Sequence, residues 1–147
     1  MTRYLFDAAW IAARIPHHGS MCLLAGVVGW TDSTIDCRAD SHRRPDNPLR
    51  AGGRLGIVNG IEYAAQAMAV HGALLAGHDD APRAGFLTSV REVVFHAPAL
   101  DVAADLEIHA EKLSGEGAVQ MYSFTIEADG MLLVSGRATV MPDAGTR

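Results

Sequence analysis

Residues 55–76 read LGIVNGIEYAAQAMAVHGALLA, and this stretch decides the fold. Its apolar side chains lie on nearly every side of a helical wheel, and Gly77 supplies a natural C-terminal stop. A helix that is apolar almost all round is typical of a buried element rather than a surface one. At 1.5 Å per residue it spans about 30 Å. The sequence therefore predicts one long buried helix from Leu55 to about Ala76.

The second half of the chain is typical of β-structure. Apolar and polar residues alternate with period two in four segments, which are Phe86–Phe95, Ala103–Leu113, Val119–Glu127 and Met131–Met141. Asp129-Gly130 is a two-residue hairpin signal between the last two. Strands of about ten residues span roughly 33 Å, which matches the length of the predicted helix.

The first half supplies three further elements and a loop. Asp7 is expected to cap a short helix over 8–13, and the segments 21–30 and 33–39 predict two strands of a hairpin. Residues 41–53 break all periodicity with prolines and glycines, which predicts a loop. The resulting fold class is α+β: a hotdog fold, with a long central helix wrapped by an antiparallel β-sheet of five to six strands.

Composition bounds the class of protein. A chain of 147 residues predicts a single domain over 1–147, and 49% hydrophobic with 20% charged residues excludes intrinsic disorder. A net charge of −5 excludes a basic nucleic-acid binder, and two cysteines are too few for a disulfide framework. The longest apolar run, Met21–Trp30, is about half of the ~20 residues that span a bilayer. We expect a soluble cytoplasmic protein without a membrane span.

The predicted helix carries few polar side chains, and three of them share one stripe. At 100° per residue, Gln66 lies about 40° from Glu62, and Asn59 lies about 60° the other way. His71 falls on the opposite side and is expected in the core or at an interface. A buried carboxylate must be paired or shifted toward its neutral form, so Glu62 is a candidate acid or base. The alternative is that a loop arginine pairs with Glu62, which then only stabilises structure.

A second candidate lies in the loop before the helix. His42 belongs to Ser41–Pro45, and this loop must lead to the helix N-terminus near Glu62. A histidine with a pKa of about 6.5 suits general-base chemistry near neutral pH. A loop histidine is more often simply solvated, and that alternative stays open. No Cys/His spacing matches a known structural metal site, so we expect neither a metal nor a cofactor.

Several motifs together carry a resemblance to a known family. They are IPHHGSMCLL at 15–24, NPLR at 47–50, EYAAQA at 62–67 and VFHAP at 94–98. In this order they resemble the hotdog-fold 3-hydroxyacyl-ACP dehydratases of the FabA/FabZ type, and most of all the aryl polyene (ApeP-like) dehydratase branch. The resemblance covers nearly the whole chain. The stretch from His42 to Glu62 is several residues longer than in the FabZ pattern.

The resemblance implies the dehydration of a 3-hydroxyacyl thioester, carried on acyl carrier protein, to the trans-2-enoyl thioester. Such chemistry belongs to fatty-acid-like or aryl polyene synthesis. His42 corresponds to the catalytic histidine of the family and Glu62 to its helix carboxylate. We expect His42 to take the C2 proton, and Glu62 to protonate the departing hydroxyl or to hold the water.

Other residues are expected to bind the substrate. The free N–H groups around Gly56 and Ile57, at the start of the helix, would stabilise the thioester oxygen as it gains negative charge. Gln66 would orient the carboxylate or a water. Asn59 is a second polar candidate at this end, and fixing the loop suits it better than reacting.

A basic window suggests the carrier-protein partner. Five arginines within seventeen residues are opposed there by Asp40 and Asp46, which leaves a local charge of +3; they are Arg38, Arg43, Arg44, Arg50 and Arg54. An acidic partner, such as acyl carrier protein with its phosphopantetheine-linked substrate, would dock on this patch, where Arg50 is the substrate-binding candidate. The alternative is a solvated loop whose arginines form internal ion pairs.

Two other functions compete with dehydration. A hotdog acyl thioesterase would use Glu62 to activate water and would not need His42. A non-catalytic subunit would pair with an active hotdog protein. A single hotdog unit exposes sheet edges and one side of its helix, so we expect a homodimer, a larger assembly of dimers, or a heterodimer with another hotdog protein.

Overall fold

The computed structural model describes residues 3–15, 19–77, 85–116 and 119–142, so positions 16–18 of the first family motif lie outside the described residues. The helices and strands follow in chain order: β1 (Phe6–Asp7), α1 (Ala8–Ala12), β2 (Gly26–Trp30), β3 (Thr34–Ala39), α2 (Gly60–Ala76), β4 (Gly85–Phe95), β5 (Leu106–Glu116), β6 (Val119–Ala128) and β7 (Met131–Pro142). The cap of α1 is confirmed, since Asp7 Oδ1 accepts a hydrogen bond from the Trp10 N–H at 3.0 Å.

The long helix begins later than predicted. Residues 57–59 form a 3₁₀ turn, and the α-helix starts only at Gly60. Gly56 instead forms an antiparallel bridge with Ala99, so tertiary pairing holds it in an extended conformation. The end is as predicted, because Gly77 has a φ of 70° and its N–H closes the last turn. No helix in the described ranges is long and apolar enough to cross a membrane.

One antiparallel sheet contains all seven strands in the order β1-β2-β3-β5-β6-β7-β4. The hotdog architecture is confirmed, and the strand count exceeds the predicted five to six because of β1. Two residues are too few to show period-two alternation, which is why β1 was not predicted. The turn between β6 and β7 has Asp129 and Gly130 at φ values of 52° and 78°, as a two-residue hairpin loop requires.

The inner side of α2 packs across the middle of the sheet. Its buried residues include Tyr63, Ala67 and Met68, and they belong to one hydrophobic core with inward residues of the central strands. Gly60 lets the first turn approach closely, since a Cβ there would lie 3.1 Å from side-chain carbons of Ile126 and Val134. The sheet therefore fixes where the first turn of α2, and with it Glu62, is presented.

The outer side of α2 is open in the single chain. Ile61, Glu62, Ala65 and Ala69 are only partly buried, and Val58 just before the helix is 58% exposed. One side of the helix is thus exposed in one chain, as expected for a single hotdog unit. An apolar helix face of this kind is typical of a surface that another subunit covers.

Candidate active site

The strand order brings two distant loops together. Residues 40–54, here called the His42 loop, follow β3, and residues 96–105, here called the β4–β5 connection, precede β5. Because β3 and β5 are antiparallel neighbours with Ala39 opposite Leu106, the end of one strand lies beside the start of the other. A 3₁₀ turn over Ser41–Arg43 then directs the His42 ring toward the connection.

The His42 ring is held by backbone carbonyls of the β4–β5 connection. Its Nε2 lies 3.1 Å from Val102 O and 2.9 Å from Ala104 O. Carbonyls only accept hydrogen bonds, so Nε2 carries the proton and Nδ1 keeps its lone pair in the neutral ring. Nδ1 is buried and has no hydrogen-bond partner within the described structure.

The environment of His42 favours its neutral form. The side chain has no exposed area, so the alternative of a solvated loop histidine is wrong. Burial lowers the pKa of His42, and the hydrogen bond to Ala104 O opposes this shift. The lowered pKa favours a neutral imidazole that keeps its proton on Nε2 and leaves Nδ1 unpaired.

The side chain next to Glu62 anchors the His42 loop from the helix. Tyr63 is fully buried, and its hydroxyl lies 2.9 Å from Ser41 Oγ and accepts a hydrogen bond from Asn47 Nδ2 at 3.2 Å. Ser41 Oγ in turn donates to Leu23 O at 2.7 Å. The first turn of α2 and the His42 loop are thus tied together through Tyr63.

Glu62 lies on the opposite, open side of the same helical turn. It is half-buried, and within the described ranges it forms no hydrogen bond or ion pair. The alternative of a loop arginine paired with Glu62 is therefore not observed. No hydrogen bond or ion pair joins Glu62 to His42 of the same chain, and Glu62 is not among the charges that shift the His42 pKa.

Gln66 points away from Glu62 because successive turns of the helix rotate it by about 40° about the helix axis. It is fully buried; its Oε1 accepts from the Leu23 N–H at 2.9 Å and its Nε2 donates to Met21 O at 2.6 Å. Both ends of the amide are therefore engaged by the segment that leads into β2. In the single chain, Gln66 holds this segment rather than the carboxylate of Glu62.

The N–H groups at the start of the helix are only partly available. The Ile57 N–H donates to Pro98 O at 3.2 Å, so the expectation of a free donor there is wrong. Asn59 bonds to Gly56 O through both its backbone N–H and its side-chain amide, at 3.1 Å each. This local contact fixes the turn. The Gly56 N–H has no partner among the described hydrogen bonds and remains the candidate donor for an oxyanion.

The basic window is largely neutralised by internal ion pairs. Three of the five arginines pair with aspartates within 3.1 Å, namely Arg43 with Asp105, Arg44 with Asp46 and Arg50 with Asp101. Arg38 and Arg54 form no ion pair within the described structure. The alternative of internal pairing is thus observed for most of the patch.

Sequence reasoning missed Asp101 and Tyr63. Asp101 accepts the Leu55 N–H at 2.9 Å and pairs with Arg50, and both interactions lower the pKa of its carboxyl group. These partners lie 46 and 51 positions away in the chain, so no local pattern marks Asp101. Tyr63 had a visible signal, since it is the aromatic residue beside Glu62, but only the fold shows what its hydroxyl contacts.

His71 is confirmed as a core histidine. It is fully buried near the other end of α2, where its Nε2 lies 2.9 Å from Thr31 O and its Nδ1 lies 2.7 Å from the Tyr122 hydroxyl. Nε2 therefore donates to the carbonyl, and Nδ1 accepts from the phenol. Burial lowers the pKa of His71 and raises that of Tyr122 to about 12.

The two buried histidines predict a loss of stability in mild acid. In the folded chain both histidine pKa values lie below the ordinary value of 6.5. At a pH between the folded pKa values and 6.5, the unfolded chain therefore binds more protons than the folded chain. The free energy of unfolding should therefore be fully retained above pH 6.5 and should fall as the pH drops below it. Urea unfolding at pH 8, 7, 6 and 5 measures this. His71→Gln should flatten the fall, and an unchanged pH profile would contradict the role of burial.

A shallow groove of about 380 Å³ lies on the outer face of the sheet. The charged residues that line it form cross-strand pairs. Asp36 Oδ1 lies 2.7 Å from His109 Nδ1, and Arg38 lies opposite Glu107 on the neighbouring strand. Neither His42 nor Glu62 lines it. This groove therefore lies apart from the candidate site.

A central helix on a seven-stranded antiparallel sheet, with a carboxylate on its open face and a buried histidine in the preceding loop, defines a hotdog-fold protein. The chain belongs to the ApeP-like dehydratase family, because the family model for ApeP dehydratase matches residues 9–146. This confirms the resemblance inferred from the sequence motifs. No curated protein sequence matches the chain.

Solved structures agree with this assignment. The dehydratase heterocomplex ApeI:P from Xenorhabdus doucetiae has a TM-score of 0.81 and 26% identity, covering 96% of this chain and 93% of that one. A thioesterase family protein from Silicibacter pomeroyi has a TM-score of 0.60 and 16% identity, covering 81% and 84%. A hypothetical thioesterase with coenzyme A from Streptococcus pneumoniae has a TM-score of 0.61 and 11% identity, covering 82% of this chain and 89% of that one. The two thioesterases share the fold.

Proposed function

We propose that this protein dehydrates a 3-hydroxyacyl thioester on acyl carrier protein to the trans-2-enoyl thioester, in fatty-acid-like or aryl polyene synthesis. The dehydratase family supports the reaction class. The observation that carries the proposal is the unpaired Nδ1 of His42, which is a neutral, basic nitrogen whose opposite side is fixed by two carbonyls. Two cysteines in 147 residues give no disulfide framework, which supports the cytoplasm as its compartment.

In the proposed mechanism, His42 Nδ1 takes a proton from C2 of the substrate. The electron pair of the C2–H bond forms the C2=C3 double bond as the C3–O bond breaks. Glu62 protonates the departing hydroxyl, which leaves as water. The proton on His42 then returns to Glu62 through solvent, which restores both groups. The thioester oxygen gains negative charge meanwhile, and the Gly56 N–H is the donor that we assign to it.

The two reacting groups come from different subunits in this proposal. In one chain Tyr63 faces the His42 loop, whereas Glu62 lies on the open side of α2. A second subunit packed on that side would bring its own histidine loop to Glu62. The open edge of β4, with Val94 and Phe95 at 48% and 44% exposure, is a second surface that favours association.

The partner subunit is a second copy of this chain or another hotdog protein. ApeI:P is a heterocomplex, and its similarity over nearly the whole chain supports a heterodimer. The carrier protein would approach Arg54, which is exposed on the His42 loop and forms no ion pair within the described structure. Phosphopantetheine would then reach between the subunits.

Mass spectrometry of a 3-hydroxyacyl-ACP incubated with the purified protein tests the proposal. We expect the loss of one water with the wild type and none with Glu62→Gln, which keeps the size of the side chain and removes its acid. Asp46→Asn, which changes an exposed carboxylate of the His42 loop, serves as the matched control and should leave dehydration intact.

Two other outcomes have defined meanings. Release of the free acid would identify an acyl thioesterase, an alternative favoured by the unpaired, half-exposed Glu62 and by the fold of the thioesterase neighbours. Unchanged substrate, with product appearing only after a second hotdog subunit is added, would show that this chain alone is not the enzyme.

A further inference from the structure

We infer that the ion pair between Arg50 and Asp101 positions His42, which makes both of them positioning residues for the dehydration. The inference rests on the proposed function and deepens it. It also gives Arg50 a different role from the substrate contact predicted from the sequence. No family motif quoted above contains Asp101.

The guanidinium of Arg50 holds the backbone of His42 directly. Its Nη2 donates to His42 O at 2.7 Å, its Nε donates to Arg44 O at 3.0 Å, and its Nη1 lies 2.7 Å from Asp101 Oδ1. The side chain is only 17% exposed, so these contacts are sheltered from solvent. A side chain with this many contacts inside its own chain has few donors left for a substrate.

Asp101 connects the same ion pair to the other side of the site. Its Oδ2 accepts the Leu55 N–H at 2.9 Å, immediately before Gly56, the donor that we assign to the thioester oxygen. The next residue, Val102, supplies one of the carbonyls that hold His42 Nε2. One ion pair therefore fixes the main chain of His42, a carbonyl that accepts the hydrogen bond from its ring, and the segment that carries the oxyanion donor.

The Arg50–Asp101 ion pair and its contacts with the main chain are here called the clamp. The geometry of this clamp determines which nitrogen of His42 is basic. Nε2 keeps its proton only while Val102 O and Ala104 O stay aligned with the ring. If the connection or the His42 loop shifts, the ring can adopt the other tautomer, and Nδ1 then carries a proton instead of a lone pair. A displacement of about 1 Å at a reacting group can lower a rate by about 10²-fold.

The test compares Arg50→Gln and Asp101→Asn with Arg44→Gln as the matched control. Arg44 also pairs with an aspartate in the His42 loop, but that pair is exposed and its side chain does not contact His42. Asp101→Asn keeps an oxygen for the Leu55 N–H, and circular dichroism shows whether each variant is folded. Both kcat and KM are measured for a 3-hydroxyacyl-ACP, using the assembly in which the wild type is active.

We expect Arg50→Gln and Asp101→Asn to lower kcat about 10- to 100-fold with KM little changed, because the clamp positions a group without binding substrate. The double variant should be no worse than the more damaged single one, since the two residues act as a unit. Arg44→Gln should keep the wild-type kcat. A raised KM with unchanged kcat for Arg50→Gln would overturn the inference and make Arg50 a substrate contact.

Nitrogen-15 NMR of the His42 ring, assigned by its loss in His42→Gln, gives a readout that does not depend on activity. The wild type should show a protonated Nε2 and an unprotonated Nδ1, and both clamp variants should show a mixture of tautomers. Unchanged tautomers in folded variants would overturn the positioning role even where the wild type dehydrates substrate. An inactive wild type with the expected tautomer change would instead contradict the proposed function and leave the clamp supported.

Discussion

His42→Gln is expected to lower the rate of dehydration by about 10²- to 10⁴-fold, which is the contribution typical of a positioned general base. Glutamine can still donate a hydrogen bond from its Nε2 toward Val102 O and Ala104 O, the two acceptors that hold the histidine. It has no basic nitrogen to replace Nδ1. The substitution therefore removes the proposed chemistry while retaining the contact that orients the side chain.

The matched control for this prediction is His71→Gln. His71 is equally buried and also donates from Nε2 to a backbone carbonyl, but it lies toward the far end of α2. Loss of this histidine should cost stability without lowering the turnover of folded protein. Equal activity losses in both variants would assign the effect at His42 to folding. Continued release of free acid by His42→Gln would favour the thioesterase reaction, which does not need the histidine.

Mixed dimers of His42→Gln and Glu62→Gln should recover about half of the wild-type activity if two copies of this chain form the enzyme. A two-fold dimer has two sites, and in the mixed dimer one site receives both changes while the other receives neither. Each variant alone should be near background, so the recovery is large. Two different affinity tags and tandem purification isolate the mixed dimers for the assay.

The opposite result separates the remaining arrangements. If His42 and Glu62 act within one chain, each site of the mixed dimer carries one defect and stays inactive. If the partner is another hotdog protein, as in the ApeI:P heterocomplex, mixed dimers of this chain also stay inactive, and activity returns only when that partner is supplied. Inactive mixed dimers would therefore contradict the homodimer with shared sites.

Most of the fold could be predicted because its signals are local. The helix ends at Gly77 as predicted, the turn at Asp129-Gly130 has the required backbone angles, and Asp7 caps α1. Each of these depends on residues within about one turn of each other. The start of α2 was misplaced because Gly56 pairs with Ala99, a contact that no local pattern contains.

The candidate site was predicted less completely, for the same reason. Helical periodicity placed Glu62 and Gln66 on one stripe, but a rotation of about 40° is enough to direct one outward and the other to the backbone of 21–23. Arg50 was predicted as a substrate-binding residue of the basic patch, and its aspartate partner lies 51 positions later. Long-range polar partners have no period, so the sequence alone does not reveal them.

By itself, the sequence determined the long helix, the run of strands, the family and the two residue types that the proposed chemistry needs. Only the tertiary structure decided that His42 is buried rather than solvated, and which of its nitrogens is protonated. The physical reason is the strand order. Because β3 lies next to β5, a loop at the end of one strand meets carbonyls some sixty residues away, and those carbonyls fix the ring.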